Sequence, residues 1–361
     1  MSKPLNTLPT AEALAANWPP WPTYGTVDDT LPTLERWAVA GHRVALATLV
    51  NIVGSSPRPL GSEMAICDTG EVVGYVSGGC VEGAVAAEAM NAMQTGAPRL
   101  LDYGAGSPVL DVQLTCGGRI AIFVRELADP VDHARRLRDA RARRAPLTLY
   151  VDLKTGAQRY APTPAQAAPA AGHIFVQTFL PPTRVMLVGN NPVALALCEI
   201  APALGFEIGL LRPYGPEALP AGLKVDFYDR RALDKAVADM PIDAWTAVYA
   251  VTHHAEDDQT VLIRALPSPA FSVGVLGSKR KVQQRLHALS AAQLPSAAIK
   301  RLHAPAGLDI HARGPHEIAL SILAEIIATQ PRASCTAPAD LAGLTTSGDG
   351  HYPAALASCP V

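Results

Sequence analysis

The pattern of hydrophobic and polar positions changes near residue 184. Upstream, short apolar runs rich in valine and isoleucine end at glycine turns, which is typical of strands and hairpins. Downstream, apolar runs of strand length alternate with helical periodicity, which predicts a parallel sheet covered by helices on both faces. We therefore expect an α+β domain over residues 31–180 and a doubly wound α/β domain over residues 181–330. Residues 1–30 and 331–361 lack periodicity, which predicts an extended arm and a flexible tail.

The first domain is predicted to begin with a short helix and a long buried strand. Residues 31–40 have helical spacing, and residues 42–53 are nearly all apolar. A tight turn at residues 68–70 joins two further strands into a β-hairpin. The second strand of this hairpin runs into a pair of glycines at residues 78–79, where the pattern switches to helix.

Cys80 lies where this strand, glycine turn and helix follow one another. Apolar residues from Val81 onward recur at helical spacing until Gly96. The first N–H groups of a helix are unpaired and carry partial positive charge, so they stabilise a thiolate or a phosphate. A cysteine at this position is a candidate nucleophile or ligand. From this stretch alone, a small, buried and inert cysteine is the stronger interpretation.

A second corner of the same kind strengthens the case for a site. Cys116 precedes Gly117 and Gly118 and lies 36 positions after Cys80. Consecutive backbone N–H groups at glycine turns form a concavity that binds anions. Arg58, held between two prolines, is a candidate fixed positive charge, although a solvent-facing turn residue fits its surroundings equally well. The predicted binding residues of this domain are Arg58, Ser77, Gly78, Gly79, Cys80, Glu82, Cys116, Gly117 and Gly118.

Composition excludes several classes of function. The net charge of −2 and the lack of a dense Lys/Arg run give no reason to expect nucleic acid, and the arginines at 135–144 fit a solvated helix face. No apolar run approaches the ~18 residues that a membrane span needs. The first residues lack the order of a signal peptide. The six cysteines form no CxxC pair, so we expect neither a zinc ribbon nor a disulfide framework, and a reducing cytoplasm fits best.

The second domain has the outline of a nucleotide-binding fold without its usual fingerprint. Strand, glycine and helix follow one another at residues 185–197, but only Gly189 of a GxGxxG pattern is present. Arg212 stands near the place where NAD binding requires an acidic residue. We therefore expect no ordinary use of NAD(P), with Gly189 and Asn190 as candidate residues of the crevice at the strand ends. The adjacent His253 and His254, with the acidic residues that follow them, are candidate metal ligands. The first turn of a helix, where acidic residues are favoured, is the better explanation of these carboxylates.

Several strings in a fixed order resemble the XdhC/CoxI family. The first half contains GSSPRPLGSEM, VSGGCVE and CGGRI, and the second half contains VTHHAEDD, VGVLGSKRKVQQRL and GLDIHARGPHEIALSILAEII. The resemblance covers roughly residues 35–330. It implies an XdhC/CoxI-like α+β domain followed by a Rossmann-like domain. Ala306 and His311 depart from the residues that the family usually shows.

The resemblance implies an accessory protein with no catalytic residues of its own. Members are understood to bind the molybdenum cofactor, protect it, support its sulfuration and help insert it into hydroxylases of the xanthine dehydrogenase type. The implied partners are an apo molybdenum hydroxylase and an L-cysteine desulfurase, with a homodimer left open. Cys80 and Cys116 are then candidate molybdenum ligands, because thiolates suit a soft metal. The cofactor that the resemblance implies is the molybdenum cofactor (molybdopterin), with a dinucleotide form as the alternative.

Two alternative functions remain at this point. An NAD(P)-dependent oxidoreductase would use the Rossmann-like domain, although its glycine pattern is incomplete. A sulfurtransferase would carry a persulfide on Cys80. The chaperone hypothesis requires that Cys80 and Cys116 approach each other in the fold.

Overall fold

The computed structural model describes residues 27–104, 114, 117–162 and 172–338. These residues divide into two compact units. The first unit comprises the described residues up to Leu180 together with those from Ala333 onward, and the second comprises Pro181–Arg332. The predicted arm at residues 1–26, the Ala/Pro-rich spacer at 163–171, Cys116 and the tail from 339 lie outside the described residues.

Among its described residues, the first unit contains two antiparallel sheets and three helices. In chain order its elements are α1 (Leu31–Val39), β1 (Val44–Val53), β2 (Glu63–Cys67), β3 (Val72–Gly74), α2 (Glu82–Thr95), β4 (Arg99–Gly104), β5 (Arg119–Glu126), α3 (Pro130–Ala142), β6 (Leu147–Asp152), β7 (Gln158–Pro162), β8 (Ile174–Phe179) and β15 (Cys335–Thr336). The strand order is β3-β2-β1-β5-β4 in one sheet and β15-β8-β6-β7 in the other. The predicted hairpin is confirmed by the antiparallel pairing of β2 with β3.

Strand β1 is buried on both faces, which explains its continuous apolar sequence. Ala47 and Leu49 pack in the cluster that includes Val85 of α2, whereas Leu46 packs in a separate cluster with α1 and α3. The register with β5 shifts between Leu49 and Asn51. This bulge lies just before the loop that begins at residue 54, and a bulge bends the strand that carries it.

The second unit is a doubly wound parallel sheet, as the alternating pattern predicted. Its elements are β9 (Arg184–Val188), α4 (Pro192–Ile200), a 3-10 turn (Ala201–Leu204), β10 (Glu207–Leu211), β11 (Phe227–Asp229), α5 (Leu233–Ala238), β12 (Thr246–Ala250), α6 (Ala255–Ala265), β13 (Ser272–Val275), a 3-10 turn (Lys279–Lys281), α7 (Val282–Ala291), α8 (Ser296–Ile299), β14 (Leu302–His303) and α9 (Pro315–Thr329). The strand order is β11-β10-β9-β12-β13-β14. Alternate residues of β9 pack in two separate cores, one with α4 and α9 and the other with α5, α6 and α7.

The structure differs from the sequence-based expectation at three short strands. β11, β14 and β15 have two or three residues each, too few for a periodic pattern. The prediction of an unstructured tail from residue 331 is wrong at Cys335–Thr336, because these residues pair with β8. No helix within the described ranges has both the length and the apolar character needed to cross a membrane.

Candidate functional site

Three turn segments of the first unit meet beside the start of α2. They are the loop at 54–61 after β1, the corner at 77–80 before α2, and Gly118 before β5. A Cβ atom added at Gly118 would lie 1.9 Å from the carbonyl oxygen of Ser55, and one added at Gly78 would lie 3.3 Å from Cγ of Pro57. The loop therefore touches both glycine corners, and the structure brings together the segments that the sequence singled out separately.

The carboxylate of Glu82 fills the concavity of the first glycine corner. It accepts hydrogen bonds from the backbone N–H groups of Ser77 at 2.7 Å, Gly78 at 3.1 Å and Gly79 at 2.9 Å. The Ser77 hydroxyl donates to the same carboxylate across 2.6 Å. Both side chains are buried. The positive charge that the amides present is therefore neutralised by the chain itself.

This arrangement corrects the predicted role of the first corner. The sequence predicted that the amides of Gly78 and Gly79 face a bound anion, with Ser77 and Glu82 in the binding set. These amides instead donate hydrogen bonds to the Glu82 carboxylate, because an acidic residue in the first turn of α2 satisfies the N–H groups at the helix start. The Ser77 hydroxyl also accepts from the N–H of Cys80 at 3.2 Å. The acidic first turn is the signal in the sequence that could have revealed this role.

Cys80 is exposed on the outer side of the locked corner. The neighbouring Gly79 has φ of 105°, and a Cβ atom added there would meet no atom of the described residues within 4 Å. The thiol is thus carried by a fixed backbone and belongs to an exposed residue, which corrects the interpretation of a small, buried cysteine. Cys116, the second predicted thiol, lies outside the described residues, so its approach to Cys80 stays a prediction.

At the second glycine corner, the backbone N–H of Gly117 is also hydrogen-bonded within the chain. The N–H of Gly117 donates to the carbonyl oxygen of Leu114 at 2.9 Å, and the residue is exposed with φ of 70°. Gly118 is buried between Ser55 and Gly104, since a Cβ atom added at Gly104 would lie 2.2 Å from the Gly118 carbonyl oxygen. Gly118 therefore serves close packing, whereas Gly117 faces outward.

Arg58 supplies a positive charge at this place, but the charge has a partner. Its guanidinium lies 4.0 Å above the ring of Tyr75 and donates to the Tyr75 hydroxyl at 3.0 Å. Nη2 forms an ion pair of 2.8 Å with Asp28, whose side chain is 72% exposed. Nε of Arg58 is buried and has no hydrogen-bond partner among the described residues. A ligand with an acceptor atom would satisfy this group.

In the second unit, the glycine corner after β9 is closed. The N–H of Gly189 donates to Leu211, and a Cβ atom added at Gly189 would lie 2.1 Å from the carbonyl oxygen of Val251. Asn191 caps α4 by accepting from the N–H of Ala194 at 2.9 Å. Two of the N–H groups at the place where a Rossmann fold binds pyrophosphate, those of Gly189 and Ala194, are thus used within the chain. Asn190 is exposed beside them, and its predicted role in binding stays a prediction.

A further cluster, which the sequence did not indicate, joins the turn of the hairpin to the segment before β1. Nδ1 of His42 lies 2.9 Å from Oδ1 of Asp68, and Sγ of Cys67 lies 3.4 Å from the same oxygen. These three side chains are close enough to hold a metal ion. Burial raises the pKa of the Cys67 thiol, which disfavours the thiolate that a metal needs. Asp68 also accepts from the backbone N–H of Arg43, so the cluster fastens the hairpin end.

Comparisons with known proteins agree with this architecture. Residues 37–104 match the XdhC and CoxI family, and residues 185–326 match the XdhC Rossmann domain. A crystal structure described as a xanthine dehydrogenase from Bacillus halodurans superposes with a TM-score of 0.70 at 24% identity, over 83% of this chain and 95% of that chain. This likeness supports the fold.

Two curated relatives cover most of the chain. The molybdenum cofactor insertion chaperone PaoD of Escherichia coli (strain K12) is 31% identical over 326 residues, which are 88% of this chain and 95% of that protein. A probable xanthine dehydrogenase subunit of Bacillus subtilis (strain 168) is 25% identical over 319 residues, 81% of this chain and 94% of that protein. The family resemblance noted in the sequence is thereby confirmed: the chain belongs to the XdhC and CoxI family.

Proposed function

We propose that this protein is a chaperone that binds the molybdenum cofactor, protects it and helps to insert it into an apo molybdenum hydroxylase. The observation that carries the proposal is the 31% identity to the insertion chaperone PaoD along 95% of that protein. The cofactor is cargo here, since a chaperone must release what it carries. The chain's task is therefore binding and release.

The residues of the first unit suit such cargo. A molybdenum centre with dithiolene sulfurs is soft, and a thiol such as that of Cys80 is a suitable contact for it. The cofactor also carries phosphate, for which the orphaned Nε of Arg58 is a donor beside the same loops. The amides of the corner are engaged by Glu82, so we assign phosphate recognition to Arg58 and not to Gly78 or Gly79.

The partners and the compartment follow from this role. Insertion requires an apo molybdenum hydroxylase, and sulfuration of the cofactor requires an L-cysteine desulfurase as sulfur donor. We propose both as partners, in the cytoplasm, with a homodimer as a further assembly to test. Measuring the nucleotide content of the loaded protein distinguishes molybdopterin from a dinucleotide form of the cofactor.

The cofactor content of the purified protein tests this function. The protein is isolated from a host that overproduces the cofactor, and the bound pterin is oxidised and quantified by fluorescence. We expect pterin on the wild type and a loss of at least tenfold in the Cys80→Ser, Cys116→Ser double variant. The matched control is Cys359→Ser, which removes a thiol far along the chain. Absence of pterin from the wild type contradicts the chaperone role, and equal loading of the double variant contradicts the role of the thiols.

The exposure of Cys80 favours a second candidate role, that of a sulfur carrier. In this role the Cys80 thiolate attacks the outer sulfur of the desulfurase persulfide. A new S–S bond forms on Cys80, and the old S–S bond breaks to leave the desulfurase cysteine as a thiolate. Mass spectrometry after incubation with desulfurase and cysteine then shows one added sulfur atom on the wild type and none on Cys80→Ser. Unmodified wild-type protein excludes this role without affecting the chaperone proposal.

A further inference from the structure

A cavity of about 400 Å³ opens in the second unit at the carboxyl ends of β12 and β13. Residues of α6 and α7 form its walls, and the segments that follow the two strands, Thr252–His253 and Leu276–Ser278, form its edge. Ligands of open parallel sheets bind at the carboxyl ends of the strands, typically where the strand order reverses. That point lies between β9 and β12, so this cavity is displaced from it by one strand. A volume of this size matches a small-molecule site. Gly189, the glycine at which a Rossmann fold normally holds pyrophosphate, does not line this cavity.

The inner wall of the cavity is apolar and its sides carry amides. Leu262, Leu276 and Leu289 form the apolar part, and Leu262 and Leu289 also belong to the core beneath the cavity. Gln259 and Gln284 add side-chain amides from α6 and α7, each with donors and an acceptor. An apolar surface flanked by amides suits a flat heterocycle, whose faces are apolar and whose edges form hydrogen bonds.

A buried ion pair fixes the distance between the two helices that line the cavity. Nη1 of Arg285 in α7 lies 2.7 Å from Oδ2 of Asp258 in α6, and these side chains are 15% and 3% exposed. The Thr252 hydroxyl donates to Oδ1 of Asp258 at 2.7 Å, and Nη2 of Arg285 donates to the carbonyl oxygen of Leu276 at 3.3 Å. The pair is neutral as a whole, so it shapes the cavity without demanding a charged ligand.

The edge of the cavity separates a cation from a carboxylate. Ser278 precedes the 3-10 turn Lys279–Lys281, and Lys281 immediately precedes α7. The hydroxyl and the ammonium are both donors to a phosphate. Glu256, in the first turn of α6, is an acceptor that suits the hydroxyls of a ribose. Lys279 is engaged with Asp309 at 3.0 Å, Arg280 does not line the cavity, and the lining Arg285 is paired with Asp258. Lys281 is therefore the cation that we assign to a ligand.

We infer that this cavity binds a nucleoside monophosphate, with the base against the leucines, the ribose towards Glu256 and the phosphate at Ser278 and Lys281. The nucleotide has two sources of the same chemistry. One is a free mononucleotide. The other is the nucleotide end of a dinucleotide form of the cargo, and this second source rests on the proposed chaperone function.

Calorimetric titration of the full-length protein with CMP, GMP and AMP tests the inference. We expect saturable binding of at least one nucleotide, about tenfold weaker in Lys281→Gln, as lost charge-assisted bonds imply. Arg280→Gln is the matched control, since it removes the neighbouring cation outside the cavity, and it should bind like the wild type. Ala288→Leu narrows the cavity and should abolish binding. The urea unfolding midpoint of this variant should equal that of the wild type, which shows that the fold is intact. No heat at millimolar nucleotide, or equal weakening by both cation variants, overturns the inference.

The two sources are separated by analysing protein purified from a host that makes a dinucleotide cofactor. Acid release followed by mass spectrometry gives the ratio of nucleotide to pterin. A ratio near one that falls with Lys281→Gln supports the cofactor as the source. Nucleotide without pterin supports the free mononucleotide and contradicts the chaperone function, while leaving the cavity assignment intact. Pterin without nucleotide, combined with silent calorimetry, supports the chaperone function and overturns the cavity assignment.

Discussion

The Ser77 hydroxyl donates a hydrogen bond of 2.6 Å to the Glu82 carboxylate, and both groups are buried at the start of α2. The corner that carries Cys80 is therefore closed by the chain's own acid. A corner of this kind keeps its shape whether or not cargo is bound, because its amides already have an acceptor. Cys80 is consequently presented on a preorganised backbone, which reduces the loss of conformational entropy when a ligand binds.

Replacing Glu82 by Gln should weaken the first unit. The glutamine NH₂ group cannot accept, so N–H donors that now face a carboxylate oxygen lose their partner inside the protein. We expect the free energy of unfolding to fall by about 2–4 kcal/mol, the usual range for buried polar groups left unpaired. Urea unfolding followed by circular dichroism measures the change. Asp139→Asn, which removes a surface pair with Arg135, is the control and should change stability by under about 1 kcal/mol.

The two outcomes of this experiment separate two views of the corner. A Glu82→Gln variant with wild-type stability would mean that the amides find other acceptors. It would contradict the conclusion that the Glu82 carboxylate holds the corner at residues 77–80 in place. A destabilised variant that still loads pterin at low temperature would place Glu82 in folding rather than in contact with cargo. We expect the second result, since Glu82 is fully buried.

Asp28 should restrain the binding of anionic cargo by Arg58. The carboxylate is largely exposed and holds Nη2 at 2.8 Å, so it competes with a phosphate for the same guanidinium. We expect Asp28→Asn to raise pterin retention by about two- to fivefold at low salt, an effect in the range of a surface ion pair. Arg58→Lys should lower retention, because lysine lacks the planar group that stacks on Tyr75. Pterin content after gel filtration measures both changes.

Asp29→Asn is a control for the Asp28 variant. Asp29 pairs with Arg141 at 2.6 Å, so its loss changes the net charge equally without touching Arg58. If Asp28→Asn and Asp29→Asn increase retention to the same extent, the effect is one of net charge. Competition at Arg58 is then contradicted.

The long strands and helices were predictable from the sequence because their signal is local. β1 is an apolar run buried on both faces, and α2 ends at Gly96, which adopts the left-handed conformation that favours glycine. β11 and β14 were missed because strands of three and two residues are defined by the neighbours with which they pair. Pairing of Cys335 with Gln177 joins residues far apart in the chain, which no local pattern reveals.

The candidate site was predictable in its location and not in its bonding. Glycines at Gly78 and Gly79 indicated a turn, and both have positive φ. Whether the amides of that turn face a ligand or Glu82 depends on side-chain placement in three dimensions, which spacing does not give. The same holds for Arg58, since no local pattern indicated its contact with Tyr75 or its pair with Asp28.

Two buried groups of the first unit should give opposite pH dependences of stability. Burial raises the pKa of the Glu63 carboxyl from 4.5 to about 7, and burial lowers the pKa of the His133 imidazole from 6.5 to about 3. Arg125, itself buried, acts on both groups as a charge. The Glu63 contribution is present below pH 4.5 and is lost as the pH rises through 7. The His133 contribution is present above pH 6.5 and is lost as the pH falls through 3.

Between pH 4.5 and 6.5 the slopes of the two contributions against pH have opposite signs and cancel. Single variants should uncover each slope. Glu63→Gln leaves His133, so stability should rise with pH in this window relative to the wild type. His133→Phe leaves Glu63, so stability should fall with pH in the same window. Each difference in slope approaches about 1.4 kcal/mol per pH unit. Urea unfolding at half-unit steps of pH measures the slopes, and parallel curves for the three proteins would contradict these assignments.

Gly118 and Gly117 form a matched pair that tests how closely the three turn segments pack. An alanine at Gly118 would place Cβ 1.9 Å from the Ser55 carbonyl oxygen, so the loop at 54–61 must move. An alanine at Gly117 meets no atom of the described part of the chain within 4 Å. Its cost there comes from φ of 70°, which is worth about 1–2 kcal/mol. We expect Gly118→Ala to destabilise the protein by at least about 3 kcal/mol, since its clash is with backbone, and to reduce pterin loading, whereas Gly117→Ala should retain most of its loading. Equal stability of the two variants would show that loop 54–61 does not rest on Gly118.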